Sequence, residues 1–104
     1  MWQPVSLEIE DVEWDESNLS HAVRHEITPA LVEALRRGRP LFRENLPDRT
    51  ADYQMIGSDS EGRVWTVVLK YLGDKRARPI TGWPSTPVEQ RWYIQSQTEA
   101  QRHG

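Results

Sequence analysis

Two groups of side chains in this sequence have types and spacings that could do chemistry. His21 and His25 stand four apart, so in a helix both would face one way, the geometry of a helical zinc site. The established HExxH pattern places Glu directly after the first His. Here Ala22 follows His21 and Glu26 follows His25, so the pair reads as a polar helix face, and no metal or other cofactor is expected. His25, at the end of that segment, is also a candidate general acid or base near neutral pH. The second group lies later in the chain, where Arg63, Lys70, Tyr71, Lys75, Arg76 and Arg78 cluster. Arg76 and Arg78 alternate with Ala77 and Pro79, so in a strand both guanidinium groups leave one face, and paired cations can hold a phosphate. The competing reading is a charged sheet edge, with Pro79 marking the edge or a bulge. Trp65 and Trp92 read as core, while Trp83, between Gly82 and Pro84, suits either a core or a stacking platform. Glu89 falls three residues after Thr86 and serves a capping box; Arg91, two residues on, does not share its helical face.

Composition narrows the setting. The chain has 104 residues, 37% apolar and 28% charged, with five Trp, three Tyr and one Phe, enough for one modest core. The absence of Cys excludes disulfides, thiolate catalysis and Cys-based zinc sites. No glycine-rich phosphate loop, Ser-His-Asp pattern or dinucleotide fingerprint is present. No apolar run approaches the roughly 18–20 residues of a membrane span, and the beginning lacks a basic, then apolar, signal segment, so a cytoplasmic protein is expected. Net charge is −3, but residues 1–20 carry six acids and no Lys or Arg. They therefore hold −6 and the remaining 84 residues +3. Eleven of the 13 basic residues are Arg, the side chain suited to bidentate phosphate contact and to stacking. Two destinations are open for the N-terminal acids: a basic partner, or the chain's own Arg-rich face.

The elements that would position these residues can be read along the chain. Val5, Leu7 and Ile9 alternate with Ser6, Glu8 and Glu10, the period of a half-buried strand, with a phase shift after Asp11. Asp15 then caps a helix running to about His25, and Thr28-Pro29 starts a second that ends at Gly38. Residues 39–52, with Pro40 and Pro47, read as a connection holding at most a short strand. A three-stranded meander follows: a strand from Tyr53, a turn at 58–62, the run Arg63–Leu72, a turn at Gly73-Asp74, and Arg76–Thr81. The capping box at Thr86 predicts a last helix from Pro87 to about Thr98, with a frayed tail over 99–104. The expectation is one α+β domain over 1–104, core about 5–98, in the order β-α-α-β-β-β-α, with helices packed on a small antiparallel sheet.

Three segments in order resemble the BrnT family, toxins of type II toxin–antitoxin modules in the RelE-like ribonuclease group. Val12-Glu13-Trp14-Asp15 with Asn18 and Arg24-His25 is similar to that family's FEWD…N…KHG opening. Tyr53, Ile56-Gly57, Glu61-Gly62-Arg63 and Val67-Val68 resemble its central hairpin. RPITGWPSTPVEQRWY, residues 78–93, resembles its R-I-I-S-A-R-x-A-T-x-x-E-R-x-x-Y closing segment. The likeness spans residues 12–93. The chain departs from the pattern at Trp83, where the family has Arg, at Gln90, with Arg displaced to Arg91, and at Glu26, where the family has Gly.

The resemblance implies a RelE/BrnT-like fold and a metal-independent endoribonuclease that inhibits translation. Such cleavage needs a base for the 2′-hydroxyl, a cation for the developing charge and a donor for the leaving oxygen. On this reading His25 or Glu89 is the base, Tyr71 or Tyr93 donates or stacks on a base, and Arg76 stabilises charge. Arg63, Arg78, Arg91 and Trp83 would bind the RNA. The implied partner is a BrnA-like antitoxin with a ribbon-helix-helix region, through which DNA contact would be made; no membrane is involved. The alternative is a BrnT-like interaction module without catalysis.

Overall fold

The computed structural model describes residues 4–45 and 51–103. Residues 1–3, 46–50 and 104 lie outside that description, and with them Pro47 of the expected connection and the last residue of the expected tail.

Each helix begins where a side chain can satisfy its free amides. Asp15 caps α1 (Glu16–Arg24): its carboxylate accepts from the Asn18 amide at 3.0 Å, and the Asn18 side chain accepts from the Asp15 N–H at 2.7 Å. This reciprocal pair is a capping box built on Asp and Asn. Thr28 caps α2 (Pro29–Arg37), accepting from the Leu31 amide at 3.1 Å, with Pro29 at the first position. The last helix, α3 (Pro87–His103), starts from the Thr86–Glu89 box. It runs to His103, beyond the expected end near Thr98.

The sheet has five strands in the spatial order β1-β5-β4-β3-β2. These are β1 (Asp11–Val12), β2 (Leu41–Glu44), β3 (Tyr53–Ser58), β4 (Val64–Gly73) and β5 (Arg76–Pro84). The meander β3-β4-β5 is antiparallel and β2 pairs antiparallel with β3, but β1 lies parallel to β5. The α+β class holds, while the sheet is mixed rather than antiparallel and carries β2 as a full member.

The opening segment also differs from expectation. Residues 5–10 alternate outward and inward as read, yet they form no ladder. The segment begins beside β2, where Pro4 bridges Arg43 and the Val5 N–H donates to the Phe42 carbonyl. It ends beside β5, where the Glu10 and Asp11 amides both donate to the Lys75 carbonyl. Val5, Leu7 and Ile9 thus pack across the core instead of joining a strand. Side-chain alternation reports burial of one face and not hydrogen-bond pairing.

The five consecutive residues Trp65–Leu69 of β4 are all buried, which requires cover on both faces of the strand. On one face Trp65, Val67 and Leu69 join Phe42, Met55, Ala22, Ile27, Val32 and Leu35 in the main core. On the other, Thr66 meets α3 through Glu89. Gly82 is required by this closeness: a Cβ there would lie 2.7 Å from the Thr66 carbonyl oxygen and 3.0 Å from Ile27 Cδ1.

Candidate functional site

Two groups of the residues singled out in the sequence lie at the two ends of β5. At its start, the cations are answered by the N-terminal acids. Lys75 Nζ lies 3.2 Å from Glu8 and 3.5 Å from Glu10, and Arg76 Nη1 lies 2.7 Å from Glu13. Arg78 grips Asp15 through both terminal nitrogens. The Arg78 guanidinium is the main reason the Asp15 carboxyl is lowered from 3.8 to about 2, with the Asn18 amide adding to it. Of the two destinations open for the acidic segment, the structure realises the chain's own Arg-rich face. Arg76 and Arg78 are therefore not free cations awaiting a phosphate.

Asn18 locks the same junction. Its buried amide donates to the Glu13 carbonyl at 3.1 Å and to the Pro79 carbonyl at 3.0 Å while accepting from Asp15. All the polar capacity that a primary amide offers to this corner is directed at α1 and β5. Residues 13–18 and 76–79 thus meet in one clamp, which includes Asn18 of the first segment of the resemblance and Arg78, the first residue of the third.

At the other end of β5 the arrangement is different. Glu89, 8% exposed at the foot of α3, accepts on Oε1 from the Trp83 indole at 2.9 Å, the Thr66 hydroxyl at 3.0 Å and the Thr86 amide at 2.8 Å. Ser85 Oγ lies 2.8 Å from Thr66 Oγ1 and extends the network. Trp83 thus supplies Glu89 with a neutral donor. Thr66 and Ser85 were not foreseen; the available signal was Thr66 itself, a hydroxyl amid the apolar run Val64–Leu69.

The remaining candidates are dispersed. Arg63 rests over the Trp65 ring, 5.0 Å from its centre, and the Trp65 indole donates to Asp59 at 2.9 Å. That indole bond is the leading cause lowering the Asp59 carboxyl below its ordinary 3.8. Tyr71 accepts the Lys75 amide on its phenol at 3.1 Å and meets Tyr53 edge-on, so it buttresses the β4–β5 turn. Burial raises the Tyr93 phenol above its ordinary 10.0. Arg91 is exposed on α3. His25 is exposed at the end of α1, its ring 5.0 Å from that of His21. Among the described residues no group of three or more His, Cys, Asp or Glu is placed to hold a metal ion. The four residues read as catalytic therefore occupy three places: His25 on α1, Tyr71 and Arg76 at the β4–β5 turn, and Glu89 below α3.

No protein-family model matches the chain, and no curated protein or solved structure matches it either. Among the described residues no helix is long and apolar enough to cross a membrane.

Proposed function

We propose that this chain is a BrnT-like toxin component of a type II toxin–antitoxin module, a cytoplasmic endoribonuclease partnered by a BrnA-like antitoxin. The observation that supports this reading best is the Glu89 carboxylate. Its three donors converge on Oε1, which leaves Oε2 to take the proton of an attacking 2′-hydroxyl. The Trp83 ring beside it offers a stacking surface for a base. The charge on phosphorus then falls to Arg63 or Arg91, because Arg76 and Arg78 are engaged by Glu13 and Asp15. In this assignment Glu89 replaces His25 as the first candidate for the base.

A second reading, an interaction module without catalysis, draws on the same residues. Glu89 has a structural task that is complete in itself, as the capping acid of α3 and the acceptor for Thr66 and Trp83, and the cation that the resemblance implies is here the indole of Trp83. The two readings separate on tightly controlled induction of the chain beside Glu89→Gln, with total RNA followed in parallel. The side-chain amide of that variant keeps an oxygen acceptor for Trp83, Thr66 and Thr86 but cannot take the proton. Growth arrest with RNA loss in the wild type and normal growth with Glu89→Gln, both proteins folded, is the expected result. Normal growth with abundant folded wild type overturns the nuclease reading, and the partner is then sought by co-purification with the neighbouring reading frame's product.

A further inference from the structure

The ion pairs at the start of β5 have an order that stability alone does not require. Along the N-terminal segment the acids run Glu8, Glu10, Glu13, Asp15; along the adjoining strand their cations run Lys75, Lys75, Arg76, Arg78. The two rows are parallel, as are β1 and β5. The segment is anchored by its backbone: Glu10 and Asp11 donate to the Lys75 carbonyl, and Glu13 donates to the Ala77 carbonyl at 2.8 Å. The acids are consequently presented to the cations whether or not each side-chain pair is closed. Glu8 and Glu10 are 70% and 62% exposed, so pairs of this kind hold the fold together only weakly. Their larger effect is on the field. Two residues of extended chain span about 6.6 Å and three about 10 Å, so carboxylates at positions 8, 10, 13 and 15 form a line of negative charge with a spacing near that of a single strand's phosphates.

We propose that the acidic segment is a built-in polyanion decoy: it occupies in the same chain a cation row that would otherwise bind single-stranded RNA, and so refuses RNA along the outer edge of β5. This deepens the proposed function and rests on it only in naming RNA as the polyanion. Its test reads binding and not cleavage, so the two fail separately.

The experiment compares three full-length proteins for binding of a short fluorescein-labelled oligouridine by anisotropy across a salt series. They are the wild type, the Glu8→Gln/Glu10→Gln/Glu13→Gln variant, and a control with the same charge change elsewhere, Glu26→Gln/Glu44→Gln/Glu61→Gln. All three control positions are exposed. The decoy variant is expected to bind about tenfold tighter at low salt, with a salt slope steeper by about 1.4, since it frees Lys75 and Arg76 and each freed cation adds about 0.7 for a single strand. The control is expected to gain less and to keep the wild-type slope. Adding Lys75→Gln and Arg76→Gln, at the two cations that the decoy variant frees, is expected to cancel its gain. Equal gains in the two triple variants, or no gain in either, overturn the proposal. Should the triple variant melt early by circular dichroism, Glu13→Gln alone carries the same test, with a slope change of about 0.7.

Discussion

At the start of β5, Arg76 and Arg78 meet Glu13 and Asp15 at the solvent boundary; at its end, Glu89 meets Trp83, Thr66 and the Thr86 amide away from solvent. Both ends join segments distant in sequence, one to α1 and the other to α3. They differ in what balances the charge. Opposite charges in water are screened by salt and cancelled by acid. Hydrogen bonds from neutral donors to a buried carboxylate are screened little by salt, but they cannot be removed singly without leaving a polar group unpaired. The first arrangement consumes cations that the sequence offered as a phosphate site. The second preserves a carboxylate with one oxygen to spare.

The largest effect that could break this contrast is at the clamp shared by α1 and β5. Asn18→Asp is nearly isosteric but replaces both amide donors by an anion facing the Glu13 and Pro79 carbonyls. A loss of about 3 kcal/mol or more is expected, read as a lower denaturant midpoint. An unchanged midpoint would show that the corner is held by its ion pairs and not by the amide.

Next in size is Glu89→Ala, which leaves the Trp83 indole, the Thr66 hydroxyl and the Thr86 amide without their acceptor. About 2 kcal/mol of stability should be lost, with a change in tryptophan emission, whereas Glu89→Gln should stay within about 1 kcal/mol of the wild type. Equal losses in the two variants would mean that the charge, and not the acceptor, holds this end together.

The smallest effect sharpens the electrostatic side. Asp15 is lowered to about 2 by Arg78 first, and Glu33 is lowered to about 2 by Arg36 first. A depressed carboxyl stabilises the fold above its unfolded value and loses that contribution as pH falls through its folded value. Melting temperature is therefore expected to fall between about pH 4 and pH 2. Arg78→Gln should start lower and fall less across that window, because most of the Asp15 part is already missing; an identical fall would assign the transition to the other lowered carboxyls, Glu33 and Asp59.

Much of the framework was legible in local chemistry. Asp15, Thr28-Pro29 and Thr86 marked helix starts because a cap is a contact within four residues. The meander was marked by its turn residues, although β5 continues through Trp83 to Pro84. The parallel β1 was not legible, because alternation in Val5, Leu7 and Ile9 states which side is covered and not which chain lies alongside. The ion pairs were hidden for a related reason: Arg76 and Glu13 lie 63 positions apart, and their charges alone suit a partner molecule equally well. Of the site, the capping role of Glu89 was visible in its spacing from Thr86. Its other two contacts were not, because Thr66 and Trp83 reach it only after β4 and β5 are paired.

The course of residues 4–12 also bears on what the sheet offers to other chains. One end of the stretch lies beside the edge strand β2, at Arg43 and Phe42, and its other end is itself the edge strand, β1, beside β5. A protease cut that released it would bare backbone groups of β2 and β5 together, on the two opposite sides of the sheet, and bared strand edges can pair with a neighbour. Clipping at this one place would open the sheet in both directions.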